Sequence, residues 1–502
     1  MILDKDLMTI QEVRNLVRKA AEAQELLAVM SQEQIDRIVK AMADAGAEAA
    51  EEVAKMAVEE TEIGRYEDKI IKNLLATKVL YDEIKDMKTV GLISEDQEKK
   101  VYEIAEPVGV VAAVTPTTNP TSTAMNNAII SIKARNAIVF SPHPRARKCT
   151  VKCLEILRKA AVNAGAPDDC IGCIAEPSIP ATNELMKNDG VSMILATGGP
   201  GIVKAAYSSG KPALGVGAGN APSFIERTAD IEKAVRNIVT GKTFDNGTIC
   251  ASEQSVICER FKEKEVREHF KANGAYFLSD DERTKVEKIL LSPKNTMLAS
   301  SVGRSALQLA KMAGISVPEG TKLLIGDVEG VGEGYPLSHE KLSTVLAFYV
   351  VDNWEEGCKL ARKLLVLGGL GHTMSMHTED KDVALKFALE KPAMRILVNT
   401  PSSFGGVGAT TGLFPALSLG CGTDGGNIVS DNLGPQNLLN IKRMAYGIKE
   451  ADSVCEDLLK NREAPVKEGG KKKEPSREEG YVQNDKELVD RIVMEVVKKL
   501  QS

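Results

Sequence analysis

Apolar residues recur at helical spacing through residues 10–30, which predicts a long amphipathic helix near the start of the chain. Ser31, Gln32, Glu33 and Gln34 follow with the makings of a capping box, opening a second helix. Two more helices are expected over 53–61 and 66–85. The period then changes. Residues 101–106 alternate apolar and polar, as a half-exposed strand does.

From residue 108 onward, short apolar runs alternate with helical patterns. Strands are expected at 108–114, 137–140, 171–175, 192–196 and 213–216, with helices at 121–134, 146–164, 181–187 and 201–208. Such alternation implies a parallel sheet covered on both faces, with ligands bound beyond the carboxyl ends of its strands. An amphipathic helix at 230–239 leads into a second α/β unit. There the pattern gives strands at 254–258, 322–325, 345–351 and 396–398, and helices at 261–272, 281–290 and 303–313. The fold class is α/β, with two domains and a cleft between them.

Near the junction lies the stretch from Thr243 to Ser252, with Cys250 among small residues. Gly247 lets the backbone come close to whatever the cysteine attacks. A thiolate adds to a carbonyl carbon, and N–H groups of a turn can hold the resulting oxyanion. Taken alone, the stretch is explained as well by a structural cysteine buried in a loop. Two glycine-rich segments, 196–201 and 215–220, would let backbone approach a ligand, and the first opens a helix whose N-terminus suits a pyrophosphate. Neither is a Gly-x-Gly-x-x-Gly fingerprint, and a tight turn explains each separately. Cys149, Cys153, Cys170 and Cys173 include a Cys-x-x-Cys spacing, but their places at a helix start and a strand favour packing over zinc, and no metal is expected.

Composition narrows the classes further. The chain has 502 residues, enough for two or three cores. With 43% hydrophobic and 27% charged residues it reads as an ordinary globular protein. A net charge of −6 gives no footprint for nucleic acid or an anionic membrane. No run approaches the ~20 apolar residues that cross a bilayer, and residues 1–50 lack a signal-peptide pattern. Nine scattered cysteines do not make a disulfide framework, so the cytoplasm or a compartment within it is expected.

Several segments taken together resemble the aldehyde dehydrogenase superfamily, in particular its CoA-acylating branch. They are the cysteine stretch, Pro116-Thr117-Thr118-Asn119-Pro120, Ser141-Pro142-His143-Pro144, the Thr197 turn and residues 214–222. Glu340-Lys341-Leu342-Ser343-Thr344-Val345 and Pro401-Ser402-Ser403 extend the resemblance, which covers about residues 5–450. It implies two Rossmann-like domains: one for NAD and CoA at 1–240, with an oligomerisation strand at 99–107, and a catalytic one at 241–436. A second oligomerisation strand is implied at 437–450, and with it a homodimer or homotetramer. Exposed alternating strands are edges that another chain can pair with.

The resemblance also implies chemistry. Cys250 would attack an aldehyde, acetaldehyde or propionaldehyde, and NAD would take the hydride. The cofactor residues it marks are Thr115, Pro116, Ser141, Pro142, His143, Thr197, Gly198, Gly199, Val216, Gly217 and Glu340. Glu340 matches the residue that bonds the nicotinamide ribose, although an exposed acid before a strand is the plain alternative. Hydrolytic relatives carry a glutamate base 34 residues before the cysteine, where this chain has Val216. Valine accepts no proton, so a thiol acceptor, CoA, is implied in place of water. Ser141 stands where hydrolytic relatives place a lysine beside the adenine ribose, which suits a cleft that takes NAD and CoA in turn. The oxyanion donor is Thr118 by equal-length alignment or Asn119 by chemistry, and Asn119 is preferred. His372 falls in a region that approaches the cleft in relatives and would assist CoA deprotonation, with neutral packing as the equal alternative. The rival functions are a hydrolytic dehydrogenase making a free acid and a silent cargo protein that keeps the fold.

The C-terminus departs from the catalytic pattern. After a helix end, residues 463–480 are rich in charge, proline and glycine, which predicts a disordered linker within 451–480. Asn484 can then cap a helix through residue 499, in which Leu488, Val489, Ile492, Val493, Val496, Val497 and Leu500 make one apolar stripe. A linker followed by an amphipathic helix at 481–502 resembles the encapsulation peptides of bacterial microcompartment cargo enzymes. Shell proteins are the partners that this implies, and a bacterial microcompartment the location.

Overall fold

The computed structural model describes residues 5–462. The linker expected at 463–480 and the helix at 481–502 lie outside the described residues. Four helices come first: Lys5–Ala28, Gln32–Glu48, Ala50–Thr61 and Tyr66–Leu74. Ser31 caps the second through both halves of a capping box with Gln34, as its sequence predicts. The single helix expected at 66–85 is interrupted by a π-helical turn, Leu75–Val79, before it resumes at Leu80–Ile84.

A hairpin of β1 (Gly91–Asp96) and β2 (Val101–Pro107) leads into the first parallel sheet. Its strands are β3 (Val110–Val114), β4 (Ala137–Ser141), β5 (Ile171–Cys173), β6 (Met193–Thr197) and β7 (Ala213–Val216), in the order β5-β4-β3-β6-β7. β3 and β4 are buried at every position, which is why they read as unbroken apolar runs. The helix Pro120–Lys133 is buried along its whole length beside them.

The second parallel sheet holds β8 (Ala221–Ile225), β9 (Glu253–Glu259), β10 (Ala275–Phe277), β11 (Leu323–Asp327), β12 (Val345–Val351), β13 (Gly371–His377) and β14 (Ala393–Val398). Their order is β10-β11-β12-β9-β8-β13-β14. The chain therefore enters this sheet at β8, earlier than the 240/241 division expected from the sequence. β8 is absent from the pattern reading because Pro222 argues against a central strand. A register shift between Ala221 and Pro222 absorbs the missing N–H donor. β13 is absent because Gly-His-Thr-Met-Ser-Met-His carries few apolar residues, yet all seven positions are buried. The segment after the second sheet returns to the first core, where Leu417, Leu433 and Leu438 are buried.

β15 (Leu439–Ala445) joins β1 and β2 in a three-stranded sheet, order β1-β2-β15. Glu106 pairs with Lys442 at 2.7 Å and Glu103 with Arg443 at 2.9 Å. Residues 97–100 and 445–462 belong to a separate unit. Within it the Tyr446 N–H donates to the Lys100 carbonyl at 3.1 Å, and the helix Ala451–Arg462 is exposed wherever its side chains are described. No helix among the described residues is long and apolar enough to cross a membrane.

Candidate active site

The helix Ile231–Thr243 ends just before the cysteine, and three left-handed residues in succession reverse the chain. Asp245 has φ 46°, Asn246 φ 52° and Gly247 φ 74°. Asp245 and Asn246 carry side chains in this unfavourable region, so other contacts must hold them. The Asn246 amide donates to the Gly303 carbonyl at 2.9 Å, and Asp245 accepts from the Arg65 N–H at 2.6 Å. A Cβ at Gly247 would lie 2.7 Å from the Ser343 carbonyl oxygen, so glycine is required there on two counts. The reversal delivers Cys250 to the entrance of β9, partly buried, in a cavity of about 300 Å³.

That cavity gathers residues from distant segments. Pro116, Thr118 and Asn119 come from the β3 loop, His143 from the β4 loop, and Thr197, Gly198 and Gly199 from the β6 turn. Val216 and Gly217 close one wall, and Glu340 and Cys250 another. An adjoining cavity of about 500 Å³ shares Pro116, His143, Thr197, Gly198 and Gly199, and adds Thr115, Ser141 and Pro142. It sits at the carboxyl ends of β3, β4 and β6, where ligands bind in open parallel sheets. Cβ atoms at Gly199, Gly201 and Gly217 would meet nothing within 4 Å, so these glycines keep space open for a ligand. Gly199 also stands at the N-terminus of the helix Pro200–Tyr207 with no side-chain capping bond of its own. A dinucleotide pyrophosphate fits this arrangement.

The electrostatics of the cavity are those of a dry pocket. Burial, then the Glu340 carboxylate, pushes the Cys250 thiol up to about 12, and Arg395 opposes the rise. Burial pushes Glu340 up to about 7, while the Gly219 N–H, 3.0 Å from its Oε1, stabilises the ionised form. Among the described residues, Glu340 is the only carboxylate in the cavity lining, since Val216 supplies none. Asn119 sits at the N-cap of the buried helix but makes no capping bond with its side chain. Its Nδ2 donates instead to the Thr248 carbonyl and to Thr118 Oγ1, each at 3.2 Å.

His372 is the residue that the structure does not bring into either cavity. It is fully buried, and Nδ1 lies 2.9 Å from Thr373 Oγ1. A Cβ on Gly219 would lie 1.9 Å from the Cys250 carbonyl oxygen and 3.3 Å from this nitrogen, so the imidazole and the cysteine backbone both pack against Gly219. Burial and the nearby Arg395 guanidinium hold it down to about 3. At that value the ring is neutral, and its Nε2 is buried without a hydrogen-bond partner among the described residues.

Three contributors escape the pattern reading: Lys69, Lys72 and Asp245. The two lysines lie one turn apart on the helix Tyr66–Leu74 with side chains 3% and 1% exposed. Lysines in a charged helical run signal a solvated face, so nothing in the sequence marks them as buried.

Residues 2–335 match the aldehyde dehydrogenase family, and the chain belongs to that family. It is 48% identical to the bifunctional aldehyde-alcohol dehydrogenase AdhE of Escherichia coli, over 87% of this chain and 49% of that protein. The chain thus spans about half the length of this curated relative. An acetylating aldehyde dehydrogenase from Geobacillus thermoglucosidasius superposes with a TM-score of 0.88 at 52% identity, covering 89% of this chain and 99% of that one. The propionaldehyde dehydrogenase of the Clostridium phytofermentans fucose utilisation bacterial microcompartment gives 0.79 at 28% identity, covering 88% and 98%. The Rhodopseudomonas palustris propionaldehyde dehydrogenase with bound propionyl-CoA gives 0.78 at 31%, covering 86% and 94%.

Proposed function

We propose that this chain oxidises a short-chain aldehyde with NAD and passes the acyl group from Cys250 to CoA, a reversible reaction. One observation carries the reading: Cys250 and Val216 line the same cavity, so the nucleophile is present where the hydrolytic base is not. The Cys250 thiol first gives its proton to solvent, against the cost that burial and Glu340 impose. The thiolate then adds to the carbonyl carbon, and the oxyanion meets the Cys250 N–H and the Asn119 amide, which exchanges one of its two 3.2 Å bonds for it. Residues lining the two cavities, Thr197, Gly198, Gly199 and Glu340 among them, would hold NAD, which would supply a hydride acceptor; loss of the hydride leaves the Cys250 sulfur as a thioester. The chain's own part is then to exclude water and leave the acyl carbon open to a thiol. CoA thiolate attacks that carbon, and the Cys250 sulfur leaves. Acetylating and propionyl-CoA-binding relatives support the same acceptor. Acetaldehyde and propionaldehyde are the proposed substrates.

NADH absorbance with and without CoA, together with product identification, tests this. CoA-dependent NADH formation with acyl-CoA as product is expected. Free acid would mean a hydrolytic dehydrogenase, and silence a non-catalytic cargo protein.

Assembly and location form part of the proposal. β15 is exposed at most positions, an edge that a second copy can extend, so a homodimer or homotetramer is expected. Light scattering at micromolar concentration that showed only monomer would contradict this. The apolar stripe of 481–502 and the microcompartment relative support encapsulation within a protein shell. Removing residues 464–502 is expected to leave CoA-dependent turnover within about twofold while ending co-purification with shell proteins. Shell association that survives the deletion would assign the signal elsewhere.

A further inference from the structure

Behind the cavity lies an ionic cluster that the reaction as described does not use. Lys72 Nζ donates to three oxygens: Asp245 Oδ2 at 2.5 Å, Asn119 Oδ1 at 2.6 Å and Thr248 Oγ1 at 3.1 Å. Lys69 Nζ donates to the same Asp245 oxygen at 3.1 Å and to the Thr118 carbonyl at 3.0 Å. Asp245 is fully buried. Ion pairs taken out of water lose most of their attraction to desolvation, so stability alone is a weak reason to bury this one. Its partners are more informative. Asn119 and Thr118 belong to the loop after β3, while Asp245 and Thr248 belong to the reversal that carries Cys250.

An ammonium group donates and never accepts. The atom of Asn119 that faces Lys72 is therefore Oδ1, and the two amide N–H groups must point away from it, towards Thr118 and Thr248 in the cavity wall. A cation on Oδ1 also draws electron density from the amide and strengthens its N–H groups as donors. We infer that Lys72 is a positioning residue for the oxyanion site: one ammonium, itself held by Asp245 and Thr248, aims the Asn119 amide. This rests on the proposed role of Asn119.

A double-mutant cycle in the full chain tests it, using Lys72→Met, Asn119→Ala and the pair. Asn119→Ala is expected to lower kcat about 10²–10³-fold, the usual loss for one oxyanion donor. Lys72→Met is expected to lower kcat about 10–100-fold, with KM for NAD and the rate of Cys250 alkylation by iodoacetamide changed less than about threefold. If Lys72 acts through Asn119, the pair is no slower than Asn119→Ala alone. Losses that multiply would overturn the inference, as would a Lys72→Met enzyme that loses NAD affinity and alkylation in step with kcat. An Asn119→Ala enzyme with unchanged kcat would instead remove Asn119 from the oxyanion site, and the inference with it. Lys72→Gln keeps a neutral donor beside Asp245 and is expected to recover at least ~3-fold of the lost kcat. Should the Met variant fail to fold, the same cycle built on Lys72→Gln takes its place, and multiplied losses there overturn the inference equally.

Discussion

Replacing Cys250 with alanine is expected to lower CoA-dependent turnover by at least ~10³-fold while NAD affinity and thermal stability stay close to those of the parent. Cys250 belongs to the cavity lining, partly buried, and its neighbours Ile249 and Ala251 hold the surrounding apolar cluster without it. Alanine fills the same backbone place, so the left-handed reversal upstream is undisturbed. Steady-state NADH formation and NAD titration by fluorescence quenching provide the check. Appreciable turnover in the variant would take Cys250 out of the mechanism.

Converting Val216 to glutamate is expected to turn part of the flux from acyl-CoA to free acid. Val216 ends β7 and faces the cavity that holds Cys250, so a carboxylate there would have a path to a water approaching the thioester. General-base assistance is typically worth about 10²–10⁴-fold, and a partly aligned carboxylate should raise the ratio of acid to acyl-CoA at least ~10-fold. Val216 is only 3% exposed, and a new carboxylate in that wall loses hydration. Circular dichroism and a melting curve therefore precede the product assay. An unchanged ratio in a folded variant would separate Val216 from water exclusion.

The first parallel sheet is legible in the sequence because strands buried on both faces leave unbroken apolar runs, as in β3 and β4. The second is legible only in part. Pro222 hides β8, and the serine, threonine and histidine side chains of β13 hide a strand that is buried throughout. Burial there is set by neighbouring strands, which a local pattern does not contain. At the site, each cofactor residue marked by the family resemblance lines one of the two cavities, and most of them sit at strand ends or in the turns that follow, whose glycines and prolines are visible in one dimension. His372 is the exception among the site residues, since a segment's approach to the cleft does not say whether a given ring reaches the cavity lining. Lys72 is invisible because its burial depends on Asp245, 173 residues away.

The helix Pro120–Lys133 is buried at every residue, and Asn119 stands at its N-cap. A short helix enclosed on every side gains its stability from the elements that enclose it rather than from its own sequence. Its native packing is therefore complete only when the first sheet and the N-terminal helices are closed around it. Catalytic activity then becomes a readout of complete assembly of that half of the molecule. During mild denaturation, turnover should disappear together with global helicity rather than ahead of it, unlike enzymes whose active-site loops fray first.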